Sequence, residues 1–220
     1  MTGYSARQPR ASLPPLARRG IATAIVVLVL VVMFFGTKIV PKGSTLGQGP
    51  AAFNAATYGA KQFPIQRKFI VSKAVDAATL AAAIDKDQAA AAKQYGIAQE
   101  GGVGAEIPVK LTGVVGKVPA AGFTPVKVTG LPAGYSVNVQ LGPAITGTDL
   151  RDATGKIQLG NFENQIQFQN AGTAINDQLK KVLTKAGAPN LTGKTITVEG
   201  VFLLINPKAW NVTPATLAVQ

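Results

Sequence analysis

The feature that most constrains this chain is the run from Ile21 to Phe35, IATAIVVLVLVVMFF, fifteen residues without a charge or an amide. A helix rises about 1.5 Å per residue. Extending the run through Val40 adds only Gly36, Thr37 and Lys38 as interruptions, and about twenty such residues reach the roughly 30 Å of a bilayer core. A run that is apolar all round has no polar face to turn to water, so it fits the surface of a soluble domain poorly. Arg7, Arg10, Arg18 and Arg19 precede it, and no acidic residue occurs before Asp76. The positive-inside rule therefore keeps residues 1–20 in the cytoplasm and exports the remainder of the chain. A cleaved signal peptide shares this basic start and apolar centre. The next residues, Gly36 to Lys42, offer no clear small-x-small cleavage pattern, so a retained anchor over 21–40 is the expectation.

Cysteine and histidine are both absent. That removes disulfides, thiolate nucleophiles, imidazole bases and the commonest nitrogen and sulfur metal ligands together. No cofactor or metal is expected, and the chain reads as non-enzymatic. Removing the four N-terminal arginines from the 22 Lys and Arg leaves 18 against 10 acids, a surplus of +8 on the exported part. Those cations are scattered, with only Arg67-Lys68 and Lys180-Lys181 adjacent, and read as a solvated face rather than a binding stripe.

Pro41 to Pro50 is rich in Gly, Ser, Thr and Lys, the composition of a tether. One domain over 51–220 comes after it. Up to Tyr95 the text favours helix, with a break expected at Pro64 and with Asp76 and Asp87 placed as caps. After Gly101 the period becomes two. Ile107, Val109, Leu111 and Val115 predict a long strand with a bulge at Gly113. Pro125–Thr129 and Tyr135–Ile145 predict two more, and Lys156–Leu159 a continuation. Apolar residues from Phe168 to Ala186 recur at helical spacing, with Asn161 as cap and Gly187 as stop. Lys194–Ile205 and Val212–Val219 complete five strands, leaving Trp210 in the last connection. Three strands, a helix and two strands, after preceding helices, is the order of an OB-like five-stranded antiparallel barrel in an α+β domain.

The stretch from Val139 to Gly155, VQLGPAITGTDLRDATG, and then Asn161 to Ile166, NFENQI, resembles a bacterial family of predicted periplasmic lipoproteins, a family of unknown function. Lys38-Ile-Val-Pro41, Lys110-Leu-Thr-Gly113 and Val212-Thr-Pro214 agree with it as well. The resemblance implies an OB-like exported domain, commonly encoded beside ABC transporters for sugar uptake. It carries no catalytic residues. The chain departs from the lipoprotein members in having no Cys to acylate, so the apolar helix must supply the anchor.

Within the most specific part of that resemblance, Thr148, Asp149, Arg151 and Asp152 gather in a glycine-bounded turn that can offer a guanidinium fork to a sugar, a carboxylate or a partner. The same residues can equally cap local amides and pair with one another. Asn164 joins them as a candidate binding residue. Two carboxylates fall short of the oxygen set that calcium takes, and Gly101 to Gly104 lacks the Lys-Ser/Thr of a phosphate loop. Phe123, Tyr135 and Phe202 read as core filling rather than as base-stacking residues, so no nucleic acid is expected. The expected protein is an inner-membrane, single-pass accessory domain facing the periplasm, with an ABC permease or a sugar-binding protein as partner. A periplasmic module for a small ligand such as a sugar is the alternative, and a carboxylate-dependent hydrolase a more distant one.

Overall fold

The computed structural model describes residues 15–36, 52–98, 104–119 and 122–220. The proposed tether Pro41–Pro50, the basic tail up to residue 14 and Gly101 to Val103 lie outside them. Residues Phe53–Gln220 form one compact unit, and α1 (Pro15–Gly36) belongs to another and is described by itself. The apolar side chains of α1 from Ile25 to Phe35 are exposed. Among the described residues no helix is long and apolar enough to cross a membrane. Residues 37–40 of the expected anchor lie outside the described residues.

The compact unit begins with α2 (Ala55–Lys73), which Asn54 caps by accepting a hydrogen bond from the Thr57 amide at 2.9 Å. The break expected at Pro64 does not occur, and the helix runs through it. Pro64 and Ala60 both lie on the exposed side, so the carbonyl that loses its i+4 partner reaches water. Two-residue strand β1 (Val75–Asp76), α3 (Ala77–Lys86), α4 (Gln88–Tyr95) and β2 (Ile97–Ala98) come next. Asp76 and Asp87 cap α3 and α4 as expected. Leu80 and Ile84, four apart, are buried against the rest of the domain.

Five strands then close a barrel: β3 (Ala105–Val115), β4 (Phe123–Val128), β5 (Ser136–Gln140), β6 (Thr195–Leu203) and β7 (Ala209–Val219). Neighbours run β3-β4-β5-β7-β6 and return to β3. The expectation of an antiparallel barrel needs one correction, because β5 and β7 are parallel, from Ser136↔Ala209 to Val139↔Val212. An odd ring cannot alternate direction all the way round, so one parallel pair is unavoidable. β3 is long enough to serve both neighbours, pairing with β6 from Glu106 to Val114 and with β4 from Gly113 to Val115. Its register is unbroken at Gly113, so the expected bulge is absent there. The irregularity lies instead between Glu199 and Gly200, where β6 meets β7. Gly113 serves close approach: a Cβ there would stand 2.5 Å from the Lys127 carbonyl oxygen.

β5 ends at Gln140, and the residues to Ile145 and the Lys156–Leu159 stretch are not strand. They belong to the loop carrying α5 (Asp149–Asp152) and a 3-10 turn (Leu159–Asn161). α6 (Gln165–Lys185) is capped by Asn164 rather than Asn161, and Gly187 closes it at φ 71°. Asn161 accepts a local bond from Gln158 N, so the helix starts one turn later. α6 buries Ala171, Ile175, Leu179 and Leu183 against the core and packs along α2. At that contact Gly59 has no room for a side chain, since a Cβ would lie 2.4 Å from the Ala174 carbonyl oxygen. Trp210 is not in a connection. It lies in β7, fully buried, with its ring stacked on Phe202 at 5.0 Å and its Nε1–H donating to the Pro207 carbonyl.

Candidate functional site

The glycine-bounded turn singled out in the sequence folds as α5 and packs on α6, β6 and β7. Alternation along the strands explains what it meets. Ile107 and Val109, Val137 and Val139, and Trp210 and Val212 are buried, so Glu106, Gln140 and Thr213 present their side chains to the opposite faces. All three polar residues are at most 2% exposed. Gln140 Nε2 donates to Thr213 Oγ1 at 2.7 Å and to the Thr146 carbonyl at 2.9 Å, while its Oε1 accepts from Thr146 N. Thr213 in turn donates to Asp149 Oδ2. Asn176 of α6 donates to the Gly147 carbonyl at 3.0 Å. The loop before α5 is thereby tied to the parallel pair of strands and to α6.

Arg151 is 8% exposed. Its Nε and Nη2 donate to the two oxygens of Asp152 at 2.7 and 2.9 Å, a bidentate pair. Its guanidinium carbon lies 3.7 Å from the centre of the Phe168 ring, a cation–π contact. Thr148 Oγ1 adds a 2.6 Å bond to Asp152. The fork is therefore turned inward to its own neighbour. Of the sequence candidates, Thr148, Asp149, Arg151 and Asp152 are brought together, whereas Asn164 accepts from Gln167 N at the start of α6.

Glu106 is the residue that sequence reasoning missed. Its pKa is pushed up to about 9, by burial first and then by the carboxylates of Asp149 and Asp152, against the lowering charge of Arg151. Its Oε2 has no hydrogen-bond partner. Asp149 is also raised, by burial first and by Asp152, against the lowering bond from Thr213. One guanidinium thus faces three carboxyl groups, and the one without a cation or hydroxyl of its own keeps its proton. Nothing local marks Glu106 in the sequence, where β3 also carries Lys110 and Thr112. Among the described residues no group of three or more His, Cys, Asp or Glu could hold a metal ion.

Beside this cluster, a cleft of about 400 Å³ opens between α2 and the segment after α5. Tyr58, Gln62, Ile65, Gln66 and Phe69 line it from one stripe of α2, and Thr154, Lys156, Ile157 and Asn161 from the facing segment. Gln66 is 2% exposed, and its Oε1 has no hydrogen-bond partner. Burial raises the Tyr58 pKa and the Arg151 charge lowers it, burial prevailing, so its hydroxyl is a neutral donor.

The family model described as predicted periplasmic lipoprotein (DUF2291) matches residues 27–218. The chain belongs to that family. This DUF2291 member has no Cys in its 220 residues to carry a lipid. Among solved structures it is similar to an OB-fold protein from Thermotoga maritima, at 16% identity and a TM-score of 0.61 over 77% of this chain and 99% of that one. That likeness establishes the OB fold, in agreement with the ring of five strands. No curated protein matches the DUF2291 chain closely enough to show kinship.

Proposed function

We propose that this protein is a membrane-tethered periplasmic domain that binds a partner or ligand and performs no catalysis, with α1 as its anchor. The observation that carries the reading is the uncharged apolar run Ile21–Phe35, preceded by Arg7, Arg10, Arg18 and Arg19 and by no acidic residue, a pattern that the positive-inside rule reads as a tail kept inside and a chain exported after it. The family's periplasmic description supports the same placement of the domain. The absence of Cys and His, the pairing of Arg151 with Asp152 and the bond from Thr213 to Asp149 support binding over catalysis. A transport assembly, with an ABC permease or a sugar-binding protein as the contact, is the partner class proposed.

Protease treatment of intact spheroplasts tests the tether. Digestion of the domain from outside, with the basic tail protected until lysis, is the expected result, and protection of the domain would refute the proposed orientation. Crosslinking in native membranes, with capture through a C-terminal tag, tests the partner. Recovery of a permease or a sugar-binding protein is expected, and recovery of background alone would remove the docking role.

A further inference from the structure

The sequence offers Arg151 as one candidate ligand contact, but its Nε and Nη2 are paired with Asp152 and its face lies on Phe168. Of the buried side chains with an unpaired polar atom, Gln66, Glu106 and Thr124, it is Gln66 that lines the cleft. Gln66 sits at its floor with an orphaned side-chain oxygen, although buried polar atoms in native proteins are rarely left unpaired. Rotation of the terminal amide about its soft last torsion exchanges which atom meets the cleft, so a ligand can find an acceptor or a donor there. The remaining polar lining is also of mixed character: the Tyr58 hydroxyl, the Gln62 and Asn161 amides and the Thr154 hydroxyl each donate and accept. Hydroxyl groups match such a lining because they do the same. Phe69, Ile65 and Ile157 supply apolar walls for the carbon faces of a ring. The cation in the lining, Lys156, is exposed, so the floor holds no charge to pair with an anion. The volume falls within the roughly 300–1,000 Å³ usual for small-molecule sites.

From this arrangement we infer that the cleft between α2 and residues 154–161 binds a small, neutral, hydroxyl-rich molecule, with Gln66 as its floor contact. The inference rests on the domain being one that binds, and it does not depend on the tether or on a protein partner.

The test uses the full chain in phospholipid nanodiscs, which avoid sugar-headed detergents. Melting is followed with D-glucose, D-galactose, D-ribose and myo-inositol, and with D-gluconate as the charged comparison, each at millimolar concentration. At least one neutral compound is expected to raise the melting temperature by several degrees, since a ligand that binds only the folded state stabilises it. Gln66→Leu is expected to abolish that shift while melting, without ligand, no lower than the parent, because it removes an unpaired polar atom. A purely structural Gln66 would instead lower the melting point and leave the shift intact. Thr154→Trp, which fills the cleft from its rim, is expected to abolish the shift independently and decides the matter if Gln66→Leu does not fold. No shift with any neutral compound, a shift that survives either folded variant, or a shift with gluconate alone would each overturn the inference. Those failures leave the spheroplast and crosslinking results untouched, so the two readings fail separately.

Discussion

Replacing Glu106 with Gln isolates the electrostatics of the buried cluster, because Gln is the nearest neutral isostere of the protonated acid. In the unfolded chain the carboxyl titrates near its ordinary value of 4.5, and in the folded chain at about 9. An acid whose folded pKa is raised binds its proton more tightly when folded. Its effect on stability is therefore constant below about 4.5, declines as pH rises between the two values, and levels off above about 9. The slope in that window is roughly 1.4 kcal/mol per pH unit. By pH 7 the unfolded state has gained about 3 kcal/mol relative to about pH 4.5 from this residue alone, a sizeable part of an ordinary domain's total stability.

The Gln variant has no such window. Asp149 titrates in both chains and cancels from the comparison. Urea unfolding of the two chains, followed by the fluorescence of the single, fully buried Trp210, gives the difference directly. The advantage of the variant is expected to be pH-independent below about 4.5 and to grow by roughly 1.4 kcal/mol for each unit up to about 8.5. A difference that stays flat from about pH 4.5 to about 8.5 would show that Glu106 ionises in the folded protein at an ordinary pH. Burial beside Asp149 and Asp152 would then not be enough to hold its proton.

Three further outcomes rest on the same geometry. Arg151→Ala leaves Asp152 without its bidentate partner and bares the Phe168 face, and is expected to cost about 3 kcal/mol in urea unfolding; adding Asp152→Asn should recover part of that loss, and an undiminished loss in the double variant would refute the pairing. Gly59→Ala drives a methyl into the Ala174 carbonyl at 2.4 Å and is expected to lower stability by more than about 1 kcal/mol. Gly172→Ala, in the same pair of helices, meets only ordinary contacts at 3.6 Å and beyond, so helix propensity should raise stability by about 0.5–1 kcal/mol; equal signs for the two glycines in thermal melts would count against the α2–α6 packing described.

The elements legible in the sequence are those whose signal is local. Asp76 and Asp87 announce their helices because a cap and the amides it serves are two or three residues apart. The long β3 shows itself by alternation. Misreadings fall where a distant contact decides. Pro64 stays in a helix because its side of α2 faces water, and Trp210 is in a strand because β5 lies alongside it in parallel, Val137 opposite Trp210, a pairing between residues far apart in the chain. The same reason hides half of the site. Thr148 to Asp152 stand together in the chain and are visible as a group, but Glu106, Gln140 and Thr213 come from three strands and share no local pattern.

The order of the strands round the barrel links these observations. β5 lies beside β7 in the ring but is followed in the chain by β6, which pairs with β7 and β3, so the chain leaves the sheet at Gln140 and re-enters at Thr195. That departure creates the long excursion carrying α5, the 3-10 turn and α6. Gln140 at the exit and Thr213 on the adjoining strand are the polar groups left at the point of departure, and they bond to each other and to the excursion's own Thr146 and Asp149. The buried polar cluster thus fastens the excursion to the parallel pair. The residues just beyond it, Thr154 to Asn161, are held against α2 as a consequence, and the cleft with Gln66 at its floor is the space between them. Loosening the fastening should then empty the cleft of its ligand without any change to its lining. Thr213→Val, which cuts the link from Gln140 to Asp149, is the variant that tests it: the ligand-induced rise in melting temperature should shrink in Thr213→Val although Gln66, Thr154 and Asn161 are intact. A full-sized shift in that variant would separate the cleft from the barrel's closure.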